Sequence, residues 1–484
     1  MGILLKKLTE YSESDFYPYH MPGHKRNLAG ELPEEWTQFD ITEIDGFDNL
    51  HQPEEILKEL QEKAAEAYGA DESFYLVNGS TGGILSAVSA AVPFGGELLI
   101  ARNCHKSVYH AAYLRQLTLR YIYPQILEEY DICEAVTVEQ VREALEKYPQ
   151  AGAVLIVSPT YEGRIADVAE IAKVVHEKGL SLIVDEAHGA HLGFGEDFAK
   201  NSCQLGADVV IHSLHKTLPS MTQTALLHCN GERVNREILK RFLHIYQTSS
   251  PSYVLMVSME EAIRIATEQK EAFACFMQQW KRMLKRLEAC ENINILPKSF
   301  EECAEKKHDI GKLVLSVKGM GLSGRKFYDI LLEQYHLQPE MACESYVLAM
   351  FTVGDTEEGF ERLTQAVLDL DRKLAKDSAV KEQKMHETGV TVQVCEALSI
   401  YKAWDAEKER VELTRAIGRV AGDFINLYPP GTPIIVPGEQ LSSEIIQLLH
   451  NCLEAGLSVQ GIDAETKVCV LKKSESGQKT DSYI

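Results

Sequence analysis

The sequence lacks the long apolar stretches and paired cysteines that mark membrane, secreted and zinc-binding proteins. Nowhere in its 484 residues does an apolar run approach the roughly 20 residues of a membrane helix. The N-terminus, Met1-Gly-Ile-Leu-Leu-Lys-Lys7, has too short an apolar run for a signal peptide. The 11 cysteines are scattered and include no C-x-x-C pair, so we expect reduced thiols and no metal bound through them. The sequence therefore predicts a cytoplasmic protein without a membrane partner.

Basic residues are outnumbered by acidic ones, and the glycine-rich segment after the first predicted strand lacks a nucleotide-binding pattern. Lysine and arginine number 49 against 72 acidic residues, a net charge of −23, which argues against nucleic acid as a partner. The glycine-rich segment Val77-Asn-Gly-Ser-Thr-Gly-Gly83 matches neither G-x-G-x-x-G nor G-x-x-x-x-G-K-[ST], so it does not support binding of a dinucleotide or a nucleoside triphosphate. With 45% hydrophobic and 25% charged residues, the composition is that of an ordinary globular enzyme.

Short apolar runs alternate with helical patterns along the first half of the chain. This alternation predicts an α/β fold whose large domain has a mostly parallel sheet. In such sheets, ligands bind at the carboxyl ends of the strands. The predicted strands are Ser73–Val77, Glu97–Ala101, Ala153–Val157, Ser181–Asp185 and Asp208–Ile211, and the helical patterns include Pro53–Leu60 and Asp167–Val175.

Later segments predict two smaller α+β domains. A helical stretch from Met256 to Cys290 leads to apolar runs at Gly311–Val317 and Tyr346–Phe351 and to a helix over Glu357–Leu374. A polar, charged stretch follows and predicts a linker. The expected divisions are an N-terminal segment over 1–52, a large domain over 53–255, a connector helix with a small domain over 256–374, a linker over 375–388, and a C-terminal domain over 389–484.

Lys216 lies at the centre of Ile211-His-Ser-Leu-His-Lys-Thr-Leu218, directly after a predicted strand. Burial at such a place would lower the pKa of the lysine and make its amine a usable nucleophile. A lone lysine there would more often be a solvated loop residue. Asp185, at the end of another predicted strand, favours the functional interpretation.

Three further segments follow predicted strands and carry polar groups. Val77-Asn-Gly-Ser-Thr-Gly-Gly83 opens a helical pattern, where helix-start amides and hydroxyls can bind an anion, although a plain turn is the alternative. Asp185-Glu-Ala-His188 could contribute to a metal cluster with His191. It also spells a helicase acidic box, but that box needs a phosphate loop that is absent. Arg102-Asn-Cys-His-Lys-Ser-Val108 contains His105. This histidine could present its flat ring to a ligand, although a structural role is the alternative.

Together these groups predict a pyridoxal phosphate site, since an activated lysine, a strand-end carboxylate, a flat ring and a phosphate cradle are what this cofactor needs. Lys216 would hold the cofactor aldehyde covalently. Asp185 would pair with the ring nitrogen and keep it protonated. The phosphate would lie on residues with small or hydroxyl-bearing side chains, helped by two neighbours of the lysine: Gly79, Ser80 and Thr81, with Ser213 and His215.

The chain resembles the bacterial Orn/Lys/Arg decarboxylases, which have the aspartate aminotransferase (type I) fold of pyridoxal phosphate enzymes. The matching segments extend over nearly the whole chain, so the resemblance is specific to the family. They are His20-Met-Pro-Gly-His24, Asn78-Gly-Ser-Thr81, Arg102-Asn-Cys-His-Lys-Ser107, Ser158-Pro-Thr-Tyr-Glu-Gly163, Asp185-Glu-Ala-His-Gly-Ala-His191, His212-Ser-Leu-His-Lys-Thr217 and Tyr428-Pro-Pro-Gly431.

The resemblance implies roles for residues that the motifs alone do not assign. His105 would stack on the cofactor ring and His188 would contact it, although some family members have Trp at the latter position. The active site would lie at a dimer interface, to which the N-terminal segment contributes and where Thr248 reaches the neighbouring subunit's phosphate. Larger family members begin with a receiver-like domain that drives decamer assembly. This chain shows none, which implies a homodimer or tetramer.

The resemblance also implies decarboxylation of arginine or lysine, or of ornithine, to the amine and carbon dioxide. Lys216 or His215 would return the proton to the α-carbon. A carboxylate should meet the side-chain cation of the substrate, and the candidates are Glu43, Asp45, Asp48 and Glu439, each of which has a surface or capping role as its alternative. An aminotransferase, an aldolase, an acyltransferase or a non-catalytic cofactor-binding protein could use the same lysine and aspartate.

Overall fold

The computed structural model describes residues 1–14, 21–22, 35–305, 307–376, 393–427 and 431–473. Most of the predicted linker, and the matching segments around His24 and Tyr428, therefore lie outside the described residues. Among the described residues, no helix combines the length and the apolar character needed to cross a membrane.

The helices and strands are numbered in chain order. The helices are α1 Ile3–Ser12, α2 Glu35–Gln38, α3 Ile56–Tyr68, α4 Gly79–Ala91, α5 Lys106–Arg115, α6 Val138–Lys147, α7 Val168–Glu177, α8 Leu214–Thr217, α9 Arg236–Tyr246, α10 Tyr253–Glu268, α11 Lys270–Leu287, α12 Phe300–Glu305, α13 Gly324–Tyr335, α14 Glu357–Lys376, α15 Ile400–Asp405 and α16 Ser443–Glu454. The strands are β1 Glu72–Leu76, β2 Glu97–Ala101, β3 Thr118–Ile122, β4 Ile126–Leu127, β5 Ile132–Cys133, β6 Ala151–Val157, β7 Ser181–Asp185, β8 Val209–Ser213, β9 Ala225–Cys229, β10 Asn294–Leu296, β11 Lys312–Ser316, β12 Met341–Ala342, β13 Tyr346–Met350, β14 Lys408–Glu412, β15 Ile425–Leu427, β16 Pro433–Ile435, β17 Val459–Gln460 and β18 Lys467–Leu471.

The chain divides into two compact units, each built from several segments. The first comprises Met1–Ala91, Val168–Met277 and Thr352–Gly354, and the second comprises Val92–Asp167, Gln278–Phe351 and Asp355–Ile484.

In the first unit, four strands lie side by side in the order β1-β9-β8-β7. β7 and β8 run parallel, so their carboxyl ends meet at the same edge, with Asp185 opposite Ile211. β9 runs antiparallel to both β8 and β1. β7, β8 and β9 are buried along their whole length, as their continuous apolar sequences require. α4 packs on all four of these strands and, in turn, against α9.

In the second unit, β2 lies between β3 and β6, and both pairings are parallel. The predicted α/β class with a largely parallel sheet is therefore confirmed. Neither β3 nor β9 was among the predicted strands, and the apolar run of β9, Ala-Leu-Leu-His-Cys, does not show the direction in which a buried strand runs.

Two smaller α+β parts of the second unit also match the predicted architecture. The first is the antiparallel sheet β10-β11-β13-β12, with α13 packed on β13. The second contains β14 to β18 and α16, which surround an apolar cluster that includes Ile435, Ile445 and Leu449. The long helix predicted from Met256 is two helices, because Gln269 leaves helical conformation (φ −99°, ψ 62°) between α10 and α11.

Candidate active site

The turn from β1 into α4 has the geometry expected of an anion site. Gly79 has φ of +68°, a left-handed conformation that glycine adopts without strain. α4 starts at this residue, so its first amides have no partner within the helix. Ser80 Oγ lies 2.5 Å from Ser213 Oγ, which brings hydroxyls from two elements to one place, and Thr81 beside them is exposed. The predicted phosphate residues Gly79, Ser80, Thr81 and Ser213 are thus brought together.

α4 lies very close to the sheet because of a second glycine in the same motif. A Cβ atom built on Gly83 would stand 2.7 Å from Leu76 Cδ1 and 3.2 Å from Ile211 Cγ2, closer than side chains tolerate. A larger residue at this position would force the side chains of Leu76 and Ile211 to move, so glycine lets the helix approach β1 and β8 at this distance without such a shift. The close approach places the start of α4 beside Ser213.

Lys216 lies in α8, a single helical turn that begins as β8 ends. Its Nζ atom is 3.1 Å from Nε2 of His188, so the two predicted residues are in hydrogen-bonding contact. Asp185 is the last residue of β7 and is buried, and its Oδ1 accepts from the Ala187 amide at 3.2 Å. Burial raises the pKa of Asp185, while the charge of Lys216 opposes the rise. A buried carboxylate and a lysine amine therefore act on each other at this edge.

His215 is oriented by a backbone carbonyl. Its Nδ1 donates to the Thr224 oxygen at 2.9 Å, which leaves Nε2 as the basic nitrogen of the ring. Burial lowers the pKa of His215; the Thr224 contact opposes this, and the Lys216 charge adds to it. The ring is therefore neutral near pH 7 and can accept a proton through Nε2.

The described residues do not support the alternative metal cluster of Asp185, His188 and His191. No group of three or more His, Cys, Asp or Glu side chains suited to a metal ion occurs in the part of the chain that the structure describes.

Two other predicted cofactor residues each make contacts of their own. His105 is in the second unit, where it caps α5: its Nδ1 accepts from the Ser107 amide at 3.2 Å. Thr248 follows α9 and is exposed, and its carbonyl accepts from His51 Nε2 at 2.7 Å. The stacking role of His105, and the reach of Thr248 toward a neighbouring subunit, stay predictions.

The acids proposed to bind the substrate cation differ in their burial and in their hydrogen bonds. Asp45 is exposed. The Asp48 carboxylate accepts from the amide of its neighbour Asn49 and from three backbone amides at the start of α3; burial opposes their effect, but together they lower its pKa. Asp48 is therefore a helix cap in this structure. Glu43 and Glu439 each have an Oε1 atom that is buried without a hydrogen-bond partner among the described residues, but only Glu439 has a cation paired with its other oxygen.

Glu439 forms a buried ion pair within the second unit. Its Oε2 lies 3.1 Å from Nη2 of Arg102, and both side chains are almost wholly buried. Arg102 also donates to the carbonyls of Pro433 and Ile434, so it joins the end of β2 to β16. Burial raises the pKa of Glu439, and Arg102 opposes the rise. This contact supports the structural alternative for Glu439.

Replacing Arg102 by alanine should strongly destabilise the protein, because it leaves the Glu439 carboxylate buried without its cation. The expected cost is about 3–5 kcal/mol, measured as a lower midpoint of thermal unfolding. The double variant Arg102→Met with Glu439→Gln is the control, because it removes both charges and should recover much of the loss. A single variant as stable as the parent would show that the pair is not structural.

Four polar residues next to this site were not predicted from the sequence motifs: Glu186, His212, His228 and Ser73. Glu186 and His212 lie inside two of those motifs, each one residue away from a predicted site residue. The alternation of side chains along a strand could have indicated them. It turns Glu186 and His212, the neighbours of Asp185 and Ser213, toward the opposite face of the sheet.

Comparison with known proteins identifies the class and then the family. The fold is that of the type I pyridoxal phosphate enzymes. The model of the Orn/Lys/Arg decarboxylase major domain matches residues 3–348, and that of the Orn/Lys/Arg decarboxylase C-terminal domain matches 379–484. The chain therefore belongs to the Orn/Lys/Arg decarboxylase family, which confirms the predicted resemblance.

Individual relatives extend over nearly the whole chain. An arginine decarboxylase of Bacillus subtilis is 32% identical over 95% of this chain and 96% of its own length. The inducible lysine decarboxylase of Escherichia coli is 22% identical over 96% of this chain and 78% of its own length. The crystal structure of a Francisella novicida lysine decarboxylase has a TM-score of 0.83 at 19% identity, covering 97% of this chain and 81% of that one.

Proposed function

We propose that this protein is a pyridoxal phosphate-dependent decarboxylase that converts a basic amino acid into the corresponding amine and carbon dioxide. The observation that carries the proposal is the contact between Lys216 and His188 beside the buried Asp185, in a chain of the decarboxylase family. Arginine, which gives agmatine, is the first candidate substrate, because the arginine decarboxylase above is more similar than the lysine decarboxylases. Lysine and ornithine, which give cadaverine and putrescine, are the alternatives.

The side chains of the site fit this cofactor by the chemistry of their polar groups. The amides at the start of α4 and the hydroxyls of Ser80 and Ser213 suit a phosphate. The buried Asp185 carboxylate suits a protonated ring nitrogen, and Lys216 suits an aldehyde. When bound, pyridoxal phosphate would supply an electrophilic carbon for amines and a ring that takes up the electron pair released with carbon dioxide.

The residues around Lys216 can manage its proton. The ammonium form of Lys216 donates to Nε2 of His188 at 3.1 Å, and passing the proton to that nitrogen leaves a nucleophilic amine. Asp185, held by the Ala187 amide, keeps a negative charge in a buried place, where its effect on a nearby cation is strong. The neutral His215 ring offers a second base, so either Lys216 or His215 can return a proton to the α-carbon.

Glu43 is the acid that we assign to the side-chain cation of the substrate. Its Oε1 is buried without a partner among the described residues, and a buried carboxylate oxygen is costly unless something pairs with it. The guanidinium of arginine would supply several donors to such an oxygen.

We further propose that the protein acts in polyamine biosynthesis in the cytoplasm. It would be a homodimer or tetramer, with the exposed Thr248 facing the neighbouring subunit.

Turnover on arginine, lysine and ornithine, without any keto-acid acceptor, tests the proposal directly. We expect carbon dioxide and amine from at least one of them, with arginine the fastest. Glu43→Gln in the same assay should raise the KM for the preferred substrate about tenfold or more. Absence of carbon dioxide with all three would overturn the decarboxylase assignment in favour of an aminotransferase, an aldolase, an acyltransferase or a non-catalytic protein.

A further inference from the structure

Four buried polar side chains form a hydrogen-bonded line across the strands of the first unit. Glu186 follows β7, His212 is on β8, His228 is on β9 and Ser73 is on β1. Glu186 Oε2 is 2.7 Å from His212 Nε2. His212 Nδ1 is 3.0 Å from His228 Nε2, and His228 Nδ1 is 2.6 Å from Ser73 Oγ. None of the four is more than 2% exposed.

The line has one consistent direction of hydrogen bonds. Burial lowers the pKa of His212 to about 3, with His191 adding to the effect, and lowers that of His228 well below its usual value. Both rings are therefore neutral, and each has one donor and one acceptor nitrogen. Ser73 then donates to His228, His228 donates to His212, and His212 donates to Glu186. A carboxylate at the end of such a line acts purely as an acceptor.

Other contacts hold the Glu186 end of the line and its two imidazoles in place. The Glu186 carboxylate also accepts from the Ser202 amide at 2.9 Å and from the Ser202 hydroxyl at 2.6 Å. The Tyr68 ring packs on both imidazoles, with centroids 4.7 Å from each, and its hydroxyl donates to the Ala190 carbonyl at 2.7 Å. The rings cannot turn without breaking these contacts.

The line is connected to the candidate site through the backbone. Glu186 directly follows Asp185, and its amide donates to the Ile211 carbonyl at 3.0 Å, which joins the ends of β7 and β8. His212 directly precedes Ser213, whose hydroxyl meets Ser80, and Lys216 follows within one helical turn. Alternation along the strand turns Glu186 and His212 away from the face that Asp185 and Ser213 use.

We propose that Glu186 and His212 are positioning residues, an inference that rests on the proposed function. They fix the strand ends that carry Asp185, Ser213 and Lys216. The buried charge of Glu186 also favours positive charge at Lys216. An apolar pair could join the strands at less cost, but it could not supply this charge. The line touches none of the residues assigned to the phosphate or to the substrate cation, so it acts through the residues that it holds.

Glu186 and His212 also interact electrostatically with other titratable groups. The charge of Glu186 raises the pKa of its neighbour Asp185 and of Tyr68 and Cys203 from other elements, in each case as a smaller contribution than burial. His191 acts on His212. Lys216 lowers the pKa of Asp185 and Glu186 raises it, so both charges act at the same carboxylate. Removal of the Glu186 charge should therefore make a cation at Lys216 less stable.

The test is a pH titration of the visible absorbance of pyridoxal phosphate bound to the full-length protein, in parent and Glu186→Gln. Glutamine keeps the size of the side chain but removes the charge. We expect the titration midpoint of the lysine-bound cofactor to fall by about one pH unit. We also expect kcat to fall about tenfold with KM within twofold of the parent. Glu186→Asp, which retains the charge, should leave the midpoint closer to that of the parent.

His176→Gln is the matched control, because it breaks a second histidine–carboxylate contact, His176 Nε2 to Asp208 Oδ2 at 2.8 Å, before the amino end of β8. It should leave the midpoint unchanged. If Glu186→Gln fails to fold, Ser73→Ala decides: it removes the donor at the far end of the line and should shift the midpoint downward by less. An unchanged midpoint in the folded variants would overturn the positioning role, whereas a parent protein that shows no cofactor absorbance would overturn the proposed function itself.

Discussion

Replacing Lys216 by alanine is expected to abolish the yellow absorbance of bound pyridoxal phosphate and to lower kcat by on the order of 10³–10⁴-fold or more. In the proposed function the amine of Lys216, which contacts His188, is the nucleophile, and alanine offers the cofactor aldehyde no atom to bind. The loss should appear both in the absorbance spectrum after dialysis and in carbon dioxide release from the preferred substrate.

A surface lysine provides the control for this variant. Lys178, beyond the end of α7, is exposed, and Lys178→Ala should keep both the absorbance and the activity. Lys216→Ala should also unfold at close to the parent temperature in the absence of cofactor, because Lys216 is only partly buried. Persistence of the yellow colour in Lys216→Ala would mean that another lysine binds the cofactor, and the site assigned here would be wrong.

Most strands of the large sheet, and the polar residues at their ends, could be predicted because buried strands have a distinctive apolar sequence. Buried parallel strands need continuous apolar runs, and polar residues at their ends then stand out, as Asp185 and Lys216 do. The parallel pairing of β7 and β8 brings these ends together. The antiparallel β9 could not be predicted, because an apolar run does not show the direction of a strand.

Long-range pairs were the other part that the sequence could not supply. Glu439 looks like a free acid after a proline turn, but its partner Arg102 lies 337 positions away in the sequence. Asp48 likewise looks free until the start of α3 folds onto its carboxylate. Glu186 and His212 stood within the recognised motifs, yet their contacts depend on four strands being in register.

Replacing Asp185 by asparagine is expected to lower kcat by about 10²–10³-fold without destabilising the cofactor-free protein. Asparagine keeps the shape and can still accept from the Ala187 amide. It carries no charge, however, so it cannot hold a proton on the ring nitrogen of the cofactor. Activity on the preferred basic amino acid and the absorbance of the bound cofactor both measure this loss, and activity within tenfold of the parent would contradict the role of Asp185.

The stability of the same variant has an opposite expected sign, which separates a functional charge from a structural one. Burial raises the folded-state pKa of Asp185 above its unfolded value, although Lys216 opposes the rise. An acid shifted in this direction destabilises the fold at a pH above its folded-state pKa, and the penalty disappears as the pH falls below the unfolded value. Cofactor-free Asp185→Asn should therefore melt at or above the parent temperature at pH 7, with the difference shrinking toward pH 4. A lower melting temperature at pH 7 would instead show that the Asp185 carboxylate stabilises the fold, whereas the expected result would mean that the carboxylate is kept for catalysis at a cost in stability.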